Sequence, residues 1–339
     1  MKRIYFLLLT LLSATIGNAQ TTLINPTGDG GFENGATFAA NGWTVVNGAT
    51  NQWFVGTVAV PSAGTNSAYI SNDVGGATYN YLNTAASTVH FYRDVTFPAA
   101  ETNIVLSFRW KCQGEASFDY VTVYSMPTSV TPTVNNPAGA FQSWLNIPTS
   151  YPGAVIHASP PNLNLQSAYQ TQTICLPAAY AGTTRRLVFM FSNDPSVGTQ
   201  PPGSVDEISL VSSIASAPTN QPTSLVLTQI STSQINGSFT ADAGAPDGYL
   251  TVRYPTGSAT TAPVNGTTYT AGTTLGLGRV ISASAATTFN ATGLVPATTY
   301  DFYVYSYNSA ACSGGPLYRT ITPLTGWPNC ICSGCKWTT

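Results

Sequence analysis

Side chains that could support catalysis are sparse in this chain of 339 residues. A nucleophilic hydrolase needs a base beside its nucleophile, most often a histidine. The two histidines are His90, in an apolar strand pattern, and His157, in a proline-rich stretch. No serine lies in a Gly-x-Ser-x-Gly turn, and no His-Glu-x-x-His motif offers a zinc site. The 13 acidic residues show no spacing that singles out a glycosidase pair. The sequence therefore predicts a non-catalytic protein with structural or exposed histidines.

Carboxylates near both ends of the first half of the chain could bind a cation. They are Asp29, Glu33, Asp206 and Glu207. Calcium takes about six to eight oxygens, many of them loop carbonyls, together with a few carboxylates. Segment 28–31 can turn its carbonyls inward because glycine tolerates unusual dihedral angles. These acids would approach one another if the first and last strands of the domain pair. The alternative is that Asp29 serves a turn and the others are solvated, and the sequence leaves both open.

The N-terminal residues predict export. Lys2 and Arg3 precede an apolar run from Ile4 to Ile16, and small residues lead to a cleavage position after Ala19. This run is shorter than the roughly 20 residues of a membrane helix. We therefore expect residues 1–19 to be a signal peptide. The mature protein should be secreted or lie at the cell surface, without membrane insertion.

The composition excludes nucleic acid as a partner. Only 7% of the residues are charged, and removing Lys2 and Arg3 leaves 9 basic residues (11 − 2) against 13 acidic ones. A mature net charge near −4 (9 − 13) gives no basic patch for nucleic acid or an anionic membrane. The 43% of hydrophobic residues can still build cores.

Cysteines and tyrosines supply the remaining candidates in the first half. An oxidising compartment favours a disulfide between Cys112 and Cys175. Tyr79 and Tyr81 lie in the Gly- and Asn-rich loop 75–83, which makes them the exposed candidates for a ligand-binding platform. The alternative for each tyrosine is packing in the loop or core. Trp43 and Trp110 follow apolar alternation, which predicts core positions.

The strand patterns predict an all-β protein of two domains. Alternating segments separated by Gly, Pro, Asn and Ser fill the chain, without a sustained helical period. A proline-containing linker at 213–218 separates residues 20–212, whose eight or more strands fit a jelly roll, from residues 219–324. The second block has about seven strands, as in an immunoglobulin-like sandwich.

The cysteine-rich tail, 325–339, resembles neither block. We expect it to be either the opening of a further domain or the product of a shifted reading frame. Cys312, in the loop after the last predicted strand, has no clear partner in its own block. The tail cysteines lack the fourth ligand and the spacing of a zinc site. They are Cys330, Cys332 and Cys335.

The segment 293–308 is the most informative part of the second block. A Gly-Leu-x-Pro-x-Thr-x-Tyr pattern ends at Tyr300 and leads into a strand in which Tyr300, Phe302 and Val304 share a face. A tyrosine at this place predicts a tyrosine corner, in which its hydroxyl binds the preceding turn. The pattern resembles the fibronectin type III domain, in the form found in proteins exported by type IX secretion.

The first block carries an ordered set of motifs. They include Gly28-Asp-Gly-Gly-Phe-Glu-Asn34, Phe118-Asp-Tyr-Val-Thr-Val-Tyr124 and Val205-Asp-Glu-Ile-Ser-Leu210. Their order resembles the cleaved-adhesin (choice-of-anchor) and carbohydrate-module-like jelly rolls of bacterial surface proteins. That resemblance implies a structural calcium ion held by Glu33 and Asp206, with Asp29 as a further ligand.

Together the resemblances imply a non-catalytic, adhesin-like protein. Its jelly roll would bind a glycan or a cell-surface protein, and its fibronectin-like domain would act as a spacer. Two alternatives remain: an accessory carbohydrate-binding part of a longer extracellular enzyme, and a purely structural repeat piece of a surface layer.

Overall fold

The computed structural model describes residues 20–137 and 143–327. The predicted signal peptide and nearly all of the cysteine-rich tail lie outside the described residues. The described chain forms two compact units, residues 20–214 and the residues from 215 onward. Strands dominate both units, and the described α-helical structure is one turn, α1 (Ile147–Ser150). The prediction of an all-β fold is therefore confirmed. None of the described helices has the length and apolarity that crossing a membrane requires.

The strands of the first unit are divided between two antiparallel sheets. They are β1 (Thr21–Ile24), β2 (Thr44–Val46), β3 (Gln52–Gly56), β4 (Ser67–Ser71), β5 (Ser87–Thr96), β6 (Asn103–Cys112), β7 (Tyr120–Pro127), β8 (Val155–Ile156), β9 (Gln166–Leu176), β10 (Thr184–Asn193) and β11 (Ser204–Ser213). One sheet has the order β3-β4-β11-β6-β9, with β1 beside β11, and the other has the order β2-β5-β10-β7-β8.

A layer of aromatic rings joins the two sheets. Phe91 on β5 lies directly opposite Phe189 on β10, and the two rings stack with centroids 5.0 Å apart. From the other sheet, the ring of Trp53 lies 4.9 Å from Phe91, and that of Phe108 lies 5.1 Å from Phe189. The strand alternation that places these residues inward therefore builds a sandwich core. Trp43 and Trp110 are 2% and 6% exposed, as predicted.

Residues 147–156 cover the outer face of the five-stranded sheet. Ile147 and Tyr151 are buried there, and the ring of Tyr151 stacks on that of Tyr124 at 6.0 Å. Pro148 lies in the first turn of α1, where its missing N–H removes no helical hydrogen bond. This segment gives the first unit a second, smaller hydrophobic cluster that includes the surroundings of His90.

The second unit contains a three-stranded and a six-stranded sheet. Its strands are β12 (Thr223–Ser231), β13 (Gln234–Thr240), β14 (Gly248–Pro255), β15 (Thr274–Leu275), β16 (Gly278–Ser284), β17 (Thr288–Ala291), β18 (Tyr300–Asn308), β19 (Leu317–Tyr318) and β20 (Leu324–Gly326). The smaller sheet has the order β12-β13-β17. The larger has the order β15-β16-β14-β18-β19, with β20 beside β18.

Strand β18 has two buried faces. Tyr300, Phe302 and Val304 belong to one apolar cluster, whereas Tyr305 belongs to a second, tyrosine-rich cluster. The Tyr300 hydroxyl accepts a hydrogen bond from the backbone N–H of Val295 at 3.1 Å. This contact ties the strand to the turn before it, so the predicted tyrosine corner is confirmed.

Candidate functional site

Two of the predicted acids bind the same loop of the first unit. The Glu33 carboxylate accepts hydrogen bonds from the backbone N–H groups of residues 65–66, each at 2.9 Å. The Asp206 carboxylate accepts those of residues 62–63 at 2.8 and 3.2 Å. One acid lies near the start of the unit and the other in its last strand. We call Glu33, Asp206 and loop 62–66 the acid clamp.

The local backbone explains why these acids come together. β1 pairs with β11, as expected for the first and last strands. β11 bulges between Asp206 and Ser209, and Glu207 has a φ of 48°. The Ile208 N–H donates to the carbonyl of Gly30 at 2.9 Å, which fixes the glycine-rich turn against the bulge. A Cβ at Gly30 would lie 1.8 Å from the Ile208 carbonyl oxygen, so this close approach requires glycine.

Asp206 is fully buried, and its carboxylate is occupied on both oxygens. Oδ2 binds loop 62–66, and Oδ1 accepts the N–H of Glu207 at 2.7 Å. Burial raises the pKa of Asp206 to about 6, while these backbone donors favour the ionised form. At neutral pH the group is therefore a carboxylate that serves as a hydrogen-bond acceptor.

The contacts of Asp29 differ from those of the other two acids. Its carboxylate forms an ion pair with Arg93 and accepts the N–H of Asn25 at 2.7 Å. The guanidinium of Arg93 would compete with a metal ion for the Asp29 carboxylate. Within residues 20–137 and 143–327, no group of three or more His, Cys, Asp or Glu side chains could hold a metal ion. As arranged, Glu33, Asp206 and Asp29 do not form a calcium cage, and structural calcium stays a prediction.

A row of side chains crosses the outer face of the six-stranded sheet. Phe54 lies opposite Tyr69, Tyr69 lies opposite Ser204, and Ser204 lies opposite Lys111. Directly paired residues share a face of a sheet. Two further tyrosine rings flank Lys111 on this face. We call the set the outer aromatic row: Phe54, Tyr69, Tyr79, Lys111 and Tyr169.

Lys111 holds the row together. Its ammonium lies 4.4 Å from the centre of the Tyr169 ring and 5.2 Å from that of Tyr79. It also donates to the carbonyls of residues 59–60. Burial lowers the pKa of Lys111, and Asp206 opposes this shift. Tyr79, Tyr169 and Phe54 are residues of intermediate burial, so part of each residue faces solvent.

The two predicted tyrosines occupy different environments. Tyr79 belongs to the outer aromatic row, and its hydroxyl donates to the carbonyl of Pro202 at 2.8 Å. Tyr81 is only 2% exposed, and its hydroxyl donates to the Asp119 carboxylate. Its ring also packs edge-on against Phe191. Tyr81 is therefore not exposed, and the alternative of packing in the loop or core holds for it, because its loop folds inward to satisfy a buried acid.

A serine–histidine pair lies in the first unit. Nε2 of His157 is 2.9 Å from Oγ of Ser125, and burial, aided by Arg185, lowers the pKa of His157 to about 4. Such an imidazole is neutral at pH 7 and could act as a base. Ser125 is only 2% exposed, however, and also hydrogen-bonds the Tyr180 hydroxyl at 2.8 Å. A substrate cannot reach this serine, so the pair is structural.

The cysteines depart from the prediction. Cys112 is a buried free thiol, whereas Cys175 is disulfide-bonded, as is Cys312 of the second unit. The predicted Cys112–Cys175 disulfide is therefore wrong. Strands β6 and β9 are neighbours, but Cys175 lies opposite Val105 and Cys112 opposite Gln166. The two cysteines are thus seven residues apart along β6 (112 − 105), or about 23 Å, against a limit of about 7 Å for a disulfide.

Alkylation without reductant is expected to label Cys112 only after the protein is unfolded. Burial raises the pKa of this thiol and so suppresses the reactive thiolate. Cys175 and Cys312 should stay unlabelled until a reductant is added. Peptide mapping by mass spectrometry measures all three. Label on Cys175 before reduction, or none on Cys112 in denaturant, would contradict this assignment. The tail cysteines, Cys330, Cys332 and Cys335, lie outside the described residues.

Several residues of the outer aromatic row escaped sequence reasoning. Phe54 and Tyr169 lie in strands with mixed patterns, and Lys111 adjoins a buried tryptophan. What these residues share is their place in the alternation of their strands, which puts each on the face turned away from the core. This alternation gives the face of each residue but not the neighbouring strand, which depends on the order of the sheet.

No protein-family model matches the chain, and no curated protein matches it either. Solved structures similar to it include fibronectin type III domains. The FN3 domain of human collagen XX is 24% identical, covers 34% of this chain and 98% of that domain, and has a TM-score of 0.23. The FN1–FN3 domains of chicken CNTN1 are 13% identical. They cover 62% of this chain and 55% of their own, with a TM-score of 0.29. A two-domain fibronectin type III segment of chicken tenascin is 10% identical. The match covers 72% of this chain and 93% of that segment, with a TM-score of 0.24. These likenesses concern the fold alone.

Proposed function

We propose that this is a non-catalytic, secreted or cell-surface, adhesin-like protein whose first unit binds a glycan. The observation that carries the proposal is the outer aromatic row, in which Phe54, Tyr79 and Tyr169 are half-buried around Lys111. A sugar ring has apolar C–H faces that pack on aromatic rings and hydroxyls that need polar partners. Tyrosine offers both an apolar ring and a polar tip. The second unit acts as a spacer.

The rigidity of the row supports this proposal. Tyr79 is fixed through its hydroxyl to Pro202, and the Tyr169 hydroxyl lies 2.7 Å from Oγ of Ser204. Lys111 lies over both rings. Side chains held in place before binding lose little conformational entropy when a ligand docks. A rigid, partly exposed aromatic surface is therefore suited to a ligand such as a sugar, which forms weak individual contacts.

The proposal is tested by removing one ring. The protein is first applied to a glycan array, and the affinity of a bound oligosaccharide is measured by titration calorimetry. Tyr169→Ala is expected to weaken binding about tenfold, roughly 1.4 kcal/mol, the scale of one aromatic contact. Tyr92→Ala is the matched control, because Tyr92 is a half-buried tyrosine under Arg186 on the other sheet.

Four outcomes bear on the proposal and its alternatives. Equal losses in Tyr169→Ala and Tyr92→Ala would refute the assignment to the outer aromatic row. Binding restricted to structural polysaccharides would favour the accessory part of a longer enzyme. An empty array together with retention of an unmodified cell-surface protein would replace the glycan by a protein ligand. No retention of either would favour the surface-layer piece.

A further inference from the structure

Two arginines of the second unit lie directly opposite each other. Arg253 on β14 pairs with Arg279 on β16, so both side chains leave the same face of the sheet. Like charges in this arrangement destabilise a sheet. None of the ion pairs in the described residues involves either arginine. The positive charge of this pair is therefore not neutralised by the described part of the chain.

The acids of the second unit are committed elsewhere. Asp301 lies opposite Tyr254, which places it on the other face from Arg253, and it accepts the Thr256 hydroxyl at 2.8 Å. Asp247 accepts the backbone N–H of residue 309 at 2.8 Å. Asp242 accepts that of residue 244 at 2.7 Å. None of these carboxylates neutralises the arginine pair.

Arg253 is held in place with an unused donor. Its guanidinium lies 4.6 Å from the centre of the Tyr300 ring, the ring of the tyrosine corner. Its Nε is buried and has no hydrogen-bond partner in the described residues. A buried charged donor without an acceptor is unfavourable. This nitrogen is therefore available to an acceptor from outside the described residues.

The two arginines line a cleft of about 340 Å³ beside the approach of β17 to β16. Asn290 and Thr292 also line it, and neither side chain makes a hydrogen bond within the described residues. Gly293, with a φ of 65°, leaves open space on its side of the cleft. The cleft thus combines two positive groups, two uncommitted polar side chains and access from solvent.

We infer that this cleft binds an oxyanion, either a sulfate or a carboxylate group, held between the guanidinium groups of Arg253 and Arg279. Planar guanidinium forks match two oxygens of such a group and form strong, charge-assisted hydrogen bonds. The bound anion would neutralise the opposed charges and offer an acceptor to Nε of Arg253. The site is independent of glycan binding by the first unit, because it uses no residue of that unit.

Titration calorimetry on the full protein tests the inference, with sodium sulfate and galacturonate as probes at constant ionic strength. Arg279→Gln is expected to weaken binding of the anion at least tenfold. Arg319→Gln is the matched control, because it removes the same charge from the same unit outside the cleft and should leave binding unchanged. Arg279→Gln should also raise the melting temperature in anion-free buffer, because it relieves the repulsion.

The outcomes are separable. Failure of the unmodified protein to bind either probe would overturn the site, as would equal weakening by Arg319→Gln. A lower melting temperature of Arg279→Gln without anion would reveal an internal partner and also overturn it. Neutral galactose should not bind, and binding as tight as that of galacturonate would exclude an oxyanion. Binding of galacturonate points to an acidic sugar as the source, and binding of sulfate alone points to a free ion.

Discussion

Replacing Asp206 with alanine is expected to lower the free energy of unfolding by about 3 kcal/mol at pH 7. The change leaves the N–H groups of residues 62–63 and of Glu207 without their acceptor. A lost hydrogen bond to a charged group costs about 1.5–3 kcal/mol. Relief from burying a carboxylate offsets part of the loss, since burial raises the pKa of Asp206 to about 6. Urea unfolding followed by tryptophan fluorescence measures it, because Trp53 is buried in this unit.

Asp206→Asn is the control for the acid clamp. Asparagine keeps an acceptor oxygen for loop 62–66 and removes the buried charge, but its NH2 group then faces the N–H of Glu207, which loses its acceptor. We therefore expect its stability to lie between those of the unmodified protein and Asp206→Ala, about 1–2 kcal/mol below the former, because one buried N–H is left unsatisfied. If Asp206→Ala proves as stable as Asp206→Asn, the carboxylate does not hold the loop.

The same two variants separate the clamp from the predicted calcium site. If Glu33 and Asp206 bind calcium, the melting temperature of the unmodified protein rises with millimolar calcium and falls with a chelator. The linked stabilisation is about 2.7 kcal/mol at a hundredfold excess over Kd. Asp206→Asn would then lose this response as fully as Asp206→Ala, because an amide lacks the charge that the ion requires. An unchanged melting temperature in chelator, with no metal in the purified protein, would leave these acids as acceptors only.

The features that could be predicted from sequence are those whose partners lie close together in the chain. Tyr300 and Val295, the two partners of the tyrosine corner, are five residues apart and both belong to the recognisable pattern. The burial of Phe302 and Val304 follows from the same local alternation. The all-β class is likewise a sum of local strand and turn signals.

Features that depend on the order and register of strands could not be predicted. Cys112 and Cys175 lie on neighbouring strands, and only the register shows that they are too far apart to bond. The outer aromatic row joins Tyr69 to Lys111 through Ser204, across strands that are distant in sequence. A pattern within one strand gives the face of a residue, but many strand orders satisfy the same pattern. The acid clamp could be predicted in part. The pairing of the first and last strands is expected from the sequence and brings the two acids close, whereas the bulge of β11 could not be foreseen.

The second large effect concerns His90 and pH. His90 is fully buried, and its Nε2 lies 2.9 Å from the carbonyl oxygen of Asn136 and 3.2 Å from that of Thr133. These acceptors require Nε2 to carry the proton. Nδ1, 3.3 Å from the Tyr124 hydroxyl, then accepts a hydrogen bond in the neutral ring. Burial lowers the pKa of His90 to about 4, and the two carbonyl acceptors oppose this shift.

The direction of the pH effect follows from this pKa. Between about pH 6.5 and pH 4 the unfolded chain protonates the histidine and the folded protein does not, so protons favour unfolding. The contribution of neutral His90 to the stability of the folded protein is fully present above about pH 6.5 and is lost as the pH falls toward 4. A difference of about 2.5 units corresponds to about 3 kcal/mol. The buried Asp119 acts in the opposite direction, since burial raises its pKa to about 6.

Because His90 and Asp119 act in opposite directions, the pH dependence of the stability of the unmodified protein does not isolate either group. The expected result is therefore stated as a difference in free energy of unfolding between the unmodified protein and a variant. The stability of the unmodified protein minus that of His90→Gln should fall by about 3 kcal/mol from pH 7 to pH 4, because the variant lacks the titrating ring. The stability of the unmodified protein minus that of Asp119→Asn should instead rise by a similar amount from about pH 7 to pH 4. Urea unfolding at several pH values measures both. A difference for His90→Gln that does not change with pH would show that this histidine is not held neutral in the folded protein.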